Sequence, residues 1–104
     1  MIQVSFYSID TTEDVCHILE NNLTHSISIE EWLMKKIPLI RFDCMDFPHD
    51  MESFYDCYFE SDEEEADAYK ICHILNDSLK KNVWVKYQVN IVDEHLEYIR
   101  EIEI

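Results

Sequence analysis

The chain has 104 residues and a formal net charge of −15 at pH 7, from 23 acidic and 8 basic side chains. Its hydrophobic share of 47% and its aromatic share of 12% are typical of a globular domain, so the charge does not predict disorder. A chain with this much negative charge is not expected to bind nucleic acid or anionic lipid directly. A basic protein is the favoured kind of partner.

The chain contains no glycine. Phosphate-binding loops, the dinucleotide-binding fingerprint and the nucleophile elbow all need glycine where the backbone turns sharply or approaches a ligand. The sequence therefore excludes these three motifs. Turns must be built from Asn, Asp, Ser, His or Pro.

The amino-terminal segment has no basic region, and its apolar run is too short for a signal peptide. No apolar run approaches the length of a membrane span. We therefore expect a cytoplasmic protein, in the host cytoplasm if it is viral, and its four cysteines are expected to stay reduced.

The first residues predict a strand followed by a helix. Residues 2–7 alternate apolar and polar side chains, which is typical of a half-buried strand. Thr11 or Thr12 can cap the helix, and Asp14 lies in its first turn, where the helix dipole favours acidic side chains. The apolar stripe of this helix consists of Val15, Ile18, Leu19 and Leu23.

The next segment predicts a short helix and a second strand. Ser28 and Glu31 fit a capping box, and Pro38 ends the helix that begins there. A strand at residues 26–29 is the alternative interpretation. Residues 39–45 then predict a strand, of which one face consists of Ile40, Phe42 and Cys44.

The central segment, residues 43–67, combines acidic with aromatic side chains. It holds eleven of the 23 acidic residues and no Lys or Arg. Residues 54–60 alternate as a third strand, and a long helix is predicted from about residue 62 to residue 81. An acidic linker carries few aromatic rings because it has nothing to bury. We therefore expect folded structure with negative charge on one side and aromatic rings on the other.

The last quarter of the chain predicts a β-hairpin. Residues 83–91 alternate, and a second strand follows a short turn. Pairing Ile91 with Leu96 satisfies both faces of the hairpin and places Lys86 opposite Glu101. A carboxy-terminal helix is the alternative, but the β-branched ending favours the strand.

These elements predict one α+β domain over residues 1–104, with a four- or five-stranded, mostly antiparallel sheet and two main helices on one face. Residues 15–23 and 71–79 share five identical positions out of nine. Duplication of a strand–helix unit would explain this similarity, and so would chance. Two such units would give the ferredoxin-like arrangement.

The order of elements also resembles that of the barstar family of ribonuclease inhibitors. The resemblance rests on a strand, a helix, a second helix that contains Trp32, a strand at Pro38-Leu39-Ile40, and then a helix and a strand. It implies a related architecture. The glycine-containing segment with which barstar binds its enzyme has no counterpart here.

The dipeptides Cys16-His17 and Cys72-His73 raise the question of a metal site. Adjacent residues on a helix point about 100° apart, so neither dipeptide can offer both side chains to one metal. No C-x-x-C spacing is present, and the sequence predicts buried thiols, exposed imidazoles and no metal or other cofactor. Because negative surroundings raise the pKa of a thiol, a catalytic cysteine is not expected, and the chain is not predicted to be an enzyme.

The sequence therefore favours a small acidic binding protein. We expect it to block a basic nuclease or nucleic-acid-binding effector by charge mimicry, as a phage anti-defence protein or a toxin immunity protein would. A monomer or small homo-oligomer is expected. The alternatives are a Cys/His metal-binding protein and a self-assembling structural domain whose edge strands pair. The predicted contact surface consists of Asp43, Asp46, Asp50, Glu52, Asp56, Tyr58, Glu60, Asp62, Glu63, Glu64 and Glu65.

Overall fold

The computed structural model describes residues 1–9, 14–48, 53–81 and 84–104. Within these ranges the chain forms five strands, three α-helices and a π-helical segment, Glu20–Thr24, that continues the first helix. In chain order the strands and α-helices are β1 (Ile2–Ser8), α1 (Val15–Leu19), α2 (Ile29–Lys36), β2 (Arg41–Asp46), β3 (Phe54–Glu60), α3 (Glu64–Leu79), β4 (Val85–Val92) and β5 (Tyr98–Ile102).

The five strands form one antiparallel sheet in the order β2-β3-β1-β4-β5. β1 lies at the centre, between β3 and β4, and β3 separates β1 from β2. Each helical connection therefore joins two strands that have another strand between them. This is the ferredoxin-like arrangement with β5 added at one edge. The predicted α+β fold is confirmed, with five strands and three helices.

One face of the sheet, here called the inner face, carries the hydrophobic core. Ile2, Val4 and Phe6 of β1 are fully buried on this face, and Phe6 lies between Tyr55 of β3 and Tyr87 of β4. All three helices pack buried side chains into the same core. These helical core residues are Val15, Ile18 and Leu19 of α1, Ile29 and Leu33 of α2, and Ala68, Ile71, Cys72, Leu75 and Leu79 of α3.

The first two helices begin at side-chain caps. Ser28 caps α2 as predicted, because its hydroxyl accepts a hydrogen bond from the backbone N–H of Glu31 at 3.2 Å. The cap of α1 is Asp14, whose carboxylate accepts from the N–H of Cys16 at 2.8 Å. Asp14 was predicted inside the first turn, so this position is corrected. Two proposed caps lie outside the described residues: Thr11 and Thr12.

A bulge in β2 changes which of its side chains face the core. Phe42 pairs with Phe59, but the register then shifts, so that Met45 pairs with Cys57. Phe42 and Met45 therefore lie on the inner-face side of the sheet, and Cys44 lies on the other side. The prediction that Cys44 shares a face with Phe42 is wrong, because one extra residue in a bulge reverses the alternation that follows it.

The β4–β5 hairpin is present as predicted, but its predicted register is wrong. Ile91 pairs with Arg100 rather than with Leu96. This shift moves Glu101 four residues along β4, away from Lys86. The ladder itself has one irregularity, between Ile91 and Val92.

The turn between β4 and β5 explains the difference. The carboxylate of Asp93 accepts hydrogen bonds from the backbone N–H groups of His95 and Glu97, at 2.8 Å and 3.0 Å. Leu96 has a φ of 65°, in the left-handed region that non-glycine residues seldom occupy. This local hydrogen bonding replaces the tight turn that the apolar pattern predicted.

Candidate partner-binding surface

Acidic residues from two distant segments meet at one end of the sheet. β3 and β4 both run antiparallel to β1, and Ile2 at the start of β1 pairs with Phe59 and with Ile91. The residues that follow β3 and β4 therefore lie on either side of the start of β1. We call this region the acidic end, and its carboxylates belong to Glu60, Asp62, Glu63, Glu64, Asp93 and Glu94.

A groove of about 460 Å³ lies at the acidic end. Its walls include the acidic side chains of Glu60, Glu64, Asp93 and Glu94. Ile99, which is 56% exposed, adds apolar surface, and the buried side chain of Val92 lies beneath it at the wall. Exposed apolar side chains inside a charged rim are typical of protein–protein interfaces.

Two cationic groups at the acidic end already contact carboxylates. Nη2 of Arg41 lies 3.4 Å from Oδ1 of Asp62, and its Nε lies 3.9 Å from Oε2 of Glu60. The amino group of Met1 lies 2.7 Å from Oε2 of Glu64. The two Arg41 pairs are exposed and contribute about 1 kcal/mol or less, so Arg41 can change partners, whereas the Met1–Glu64 pair is half-buried. Six carboxylates against two cations leave the region strongly negative.

The edge strand β2 extends the negative surface. Asp43 and Asp46 are both exposed on this strand. Glu65, in the first turn of α3, is also exposed, and its carboxylate lies 2.5 Å from Nη2 of Arg100. Two further residues of the predicted surface lie outside the described residues: Asp50 and Glu52.

Asp56 and Tyr58 lie apart from the acidic end, on the outer face at the middle of the sheet, and both are buried. Oγ of Ser5 donates to Oδ1 of Asp56 at 2.5 Å. Nε2 of Gln3 donates to Oδ2 of Asp56 at 3.2 Å and to Oη of Tyr58 at 3.0 Å. Asn90 donates in turn to Oε1 of Gln3 at 2.8 Å. These two residues of the predicted surface thus belong to a hydrogen-bond network within the sheet.

The aromatic rings of the central segment divide between the two faces. Tyr55 and Phe59 are buried on the inner face. Phe54 is 36% exposed on the outer face, where it stacks on Tyr7 with 6.1 Å between ring centroids. Phe54 and Asp56 share the outer face, as the alternation of residues 54–60 predicts, so charge and aromatic rings do not take opposite sides in this strand.

Burial raises the pKa of Asp56 above its ordinary value of 3.8. Repulsion from Asp46 adds to this effect, while the hydrogen bonds from Ser5 and Gln3 offset part of it. The folded protein therefore binds this proton more tightly than the unfolded chain does. The free energy of unfolding that Asp56 contributes is highest below pH 3.8 and falls as the pH rises through the raised pKa.

The substitution Asp56→Asn removes this titration. We expect its free energy of unfolding, relative to the unsubstituted protein, to rise as the pH increases from about 3 to 7, by about 1.4 kcal/mol for each unit by which the pKa is raised. Urea unfolding at several pH values measures this difference. Ser5→Ala should have the opposite trend, because it removes a hydrogen bond that lowers the pKa. A constant difference across the range would contradict the argument.

In the two Cys-His dipeptides, the cysteine and histidine side chains lie in different surroundings. Cys72 is buried and Cys16 is half-buried, whereas His17 and His73 are exposed. Burial raises the pKa of the Cys72 thiol to about 11. In the described ranges, no three His, Cys, Asp or Glu side chains are grouped closely enough to hold a metal ion. These thiols contribute to packing.

Asp93 and Glu94 are absent from the predicted contact surface, because that surface follows one continuous segment of the chain. The two strands that place them beside Glu60 and Glu64 pair with β1, not with each other. The signal was available in the strand order. Acidic residues follow both strands that flank β1, and antiparallel pairing brings those two strand ends together.

The described helices include none with the length and apolar character that crossing a membrane requires. No family model matches the chain, and no curated protein and no solved structure matches it either.

Proposed function

We propose that this chain is a small acidic binding protein that inhibits a basic, nucleic-acid-acting partner by charge mimicry. The observation that carries the proposal is the acidic end, where two separate acidic segments meet around a groove that also exposes Ile99. A partner that binds phosphates presents Lys and Arg side chains, and these are attracted to carboxylates for the same electrostatic reason.

The edge strand β2 adds carboxylates to this surface. Asp43 and Asp46 are both exposed on it. Lys and Arg side chains that bind phosphates are attracted to such carboxylates for the same electrostatic reason. An edge strand with exposed carboxylates can therefore occupy a groove built for a phosphate backbone.

Two biological roles fit this function. A toxin immunity protein covers the nucleic-acid-binding surface of a nuclease, and a phage anti-defence protein covers that of a host effector. Both act in the cytoplasm, and neither requires a cofactor or a catalytic residue. The partner supplies the basic surface in both cases, and the acidic chain supplies the carboxylates and the apolar anchors.

A tagged pull-down from the native host, washed at low salt and eluted with a salt step, tests the proposal. We expect a basic nuclease or nucleic-acid-binding protein to be released at moderate salt, because screening shortens the reach of exposed charges. Added duplex DNA should also release it, since both ligands would occupy the same surface. If no partner appears, or if DNA leaves the complex intact, charge mimicry is wrong.

A further inference from the structure

Apart from the groove at the acidic end, a cavity of about 140 Å³ lies where α1 and α2 meet the end of β2. Cavities of about 150 Å³ in proteins hold a benzene ring, so this space accommodates five or six heavy atoms. Its apolar walls are Leu19, Ile29, Met45 and Phe47.

Two carboxylates also line this cavity, those of Glu20 and Glu30. The buried hydroxyl of Tyr55 donates a hydrogen bond to Oε1 of Glu30, which holds this carboxylate in place. In the part of the chain that the structure describes, neither Glu20 nor Glu30 forms an ion pair. The cavity thus combines apolar walls with uncompensated negative charge.

The thiol of Cys16 also lines the cavity. Burial is the largest cause that raises its pKa to about 12, and the negative charges of Asp14, Glu30 and Glu20 add to this effect. Burial disfavours any charged group, so it is the contribution of these carboxylates that favours a bound cation.

We propose that this cavity binds a primary ammonium group on an alkyl chain, and specifically a lysine side chain of the partner. The methylene groups would pack against the apolar walls, and the ammonium group would donate hydrogen bonds to Glu30 and Glu20. A lysine side chain has five heavy atoms beyond Cα, which suits the volume. The compact ammonium group needs less room than the planar guanidinium of arginine.

The proposed function supplies one part of this inference, namely that the lysine belongs to a basic partner protein. The cavity itself can be tested without that protein. The probe is N-acetyl-lysine-N-methylamide, and the matched comparison is the norleucine analogue, which keeps the alkyl chain and lacks the ammonium group.

We expect the lysine compound to shift the backbone amide resonances of Cys16, Ile29 and Phe47 in a saturable way, at millimolar concentrations, at physiological salt. The norleucine compound should bind at least about tenfold more weakly, because it cannot form the charge-assisted hydrogen bonds. Absence of saturable shifts at these residues, or equal binding of the two compounds, would overturn the proposal.

A pair of variants with the same net charge locates the charge that matters. Glu30→Gln should weaken binding of the lysine compound about tenfold, since it removes the ionic partner while keeping the side-chain shape. Glu31→Gln changes the exposed neighbour on the same helix, and it should leave binding unchanged. Equal weakening in the two variants would show general attraction to a negative protein and would contradict a specific site.

The titration tests the lysine site and the pull-down tests the proposed inhibition, so each proposal can be wrong without the other. Saturable binding of the lysine compound without any basic protein in the pull-down would support the cavity and remove the proposed inhibition. A basic partner that is captured normally, together with no binding of the lysine compound, would support the inhibition and remove the cavity as a lysine site.

Discussion

Reversal of four exposed charges is expected to abolish binding of the basic partner and to leave the fold intact. Each reversal removes an attraction and introduces a repulsion, and four contacts at about 1 kcal/mol each correspond to about a thousandfold loss of affinity. Titration calorimetry with the captured partner measures the loss. The four substitutions are Asp43→Lys, Asp46→Lys, Glu63→Lys and Glu94→Lys.

A second set of reversals separates the location of the charge from its total. Both sets move the net charge from −15 to −7. The control positions are exposed but belong neither to the acidic end nor to β2, and they should cost about tenfold or less. Equal loss of affinity in the two sets would show that only total charge matters and would contradict a defined surface. The control set is Glu31→Lys, Asp77→Lys, Glu101→Lys and Glu103→Lys.

Phe6→Ala is expected to remove most of the stability of the domain. Phe6 is fully buried on the central strand, between Tyr55 and Tyr87. Removing a buried phenylalanine side chain costs about 3–5 kcal/mol, because apolar contacts are lost and a cavity remains. Total stabilities of natural domains are about 5–15 kcal/mol, and self-repulsion of a highly charged chain reduces this margin. Urea unfolding measures the change.

Tyr7→Ala is the matched control, on the neighbouring residue of the same strand. Tyr7 is 37% exposed and stacks on Phe54 on the outer face. We expect a loss of about 1 kcal/mol, since the ring stacking is partly open to solvent. If the two variants lost equal stability, the assignment of the core to the inner face would be wrong.

Sequence patterns correctly predicted the strands and helices that show one regular spacing of apolar residues. The alternation of β1 and β3 and the cap at Ser28 were sufficient, because these features depend on neighbouring residues. Strand register was predicted poorly. The bulge at Asp43 and the turn at Asp93 each change the pairing. The turn depends on backbone N–H groups that donate to the Asp93 carboxylate, and neither feature is visible in the apolar pattern.

The candidate surface was predictable only in part, for a related reason. The carboxylates of residues 60–64 are evident from composition, whereas Asp93 joins them only through the strand order. Asp56 lies on the outer face of β3, which agrees with the alternation of residues 54–60. Its burial depends on Ser5 and Gln3 of β1, about fifty positions away in the sequence, and on side-chain hydrogen bonds that no local pattern reveals.

The open edge of the sheet has a consequence for handling the free protein. β5 is an edge strand, and the side chains of Tyr98 and Ile99 on it are 63% and 56% exposed to solvent. Such an edge can pair with its copy in a neighbouring molecule and begin aggregation. At neutral pH, mutual repulsion between chains keeps the edges apart, but near the isoelectric point of about 4.4 this colloidal protection is lost. The charge proposed to attract a partner thus also keeps the unbound protein in solution.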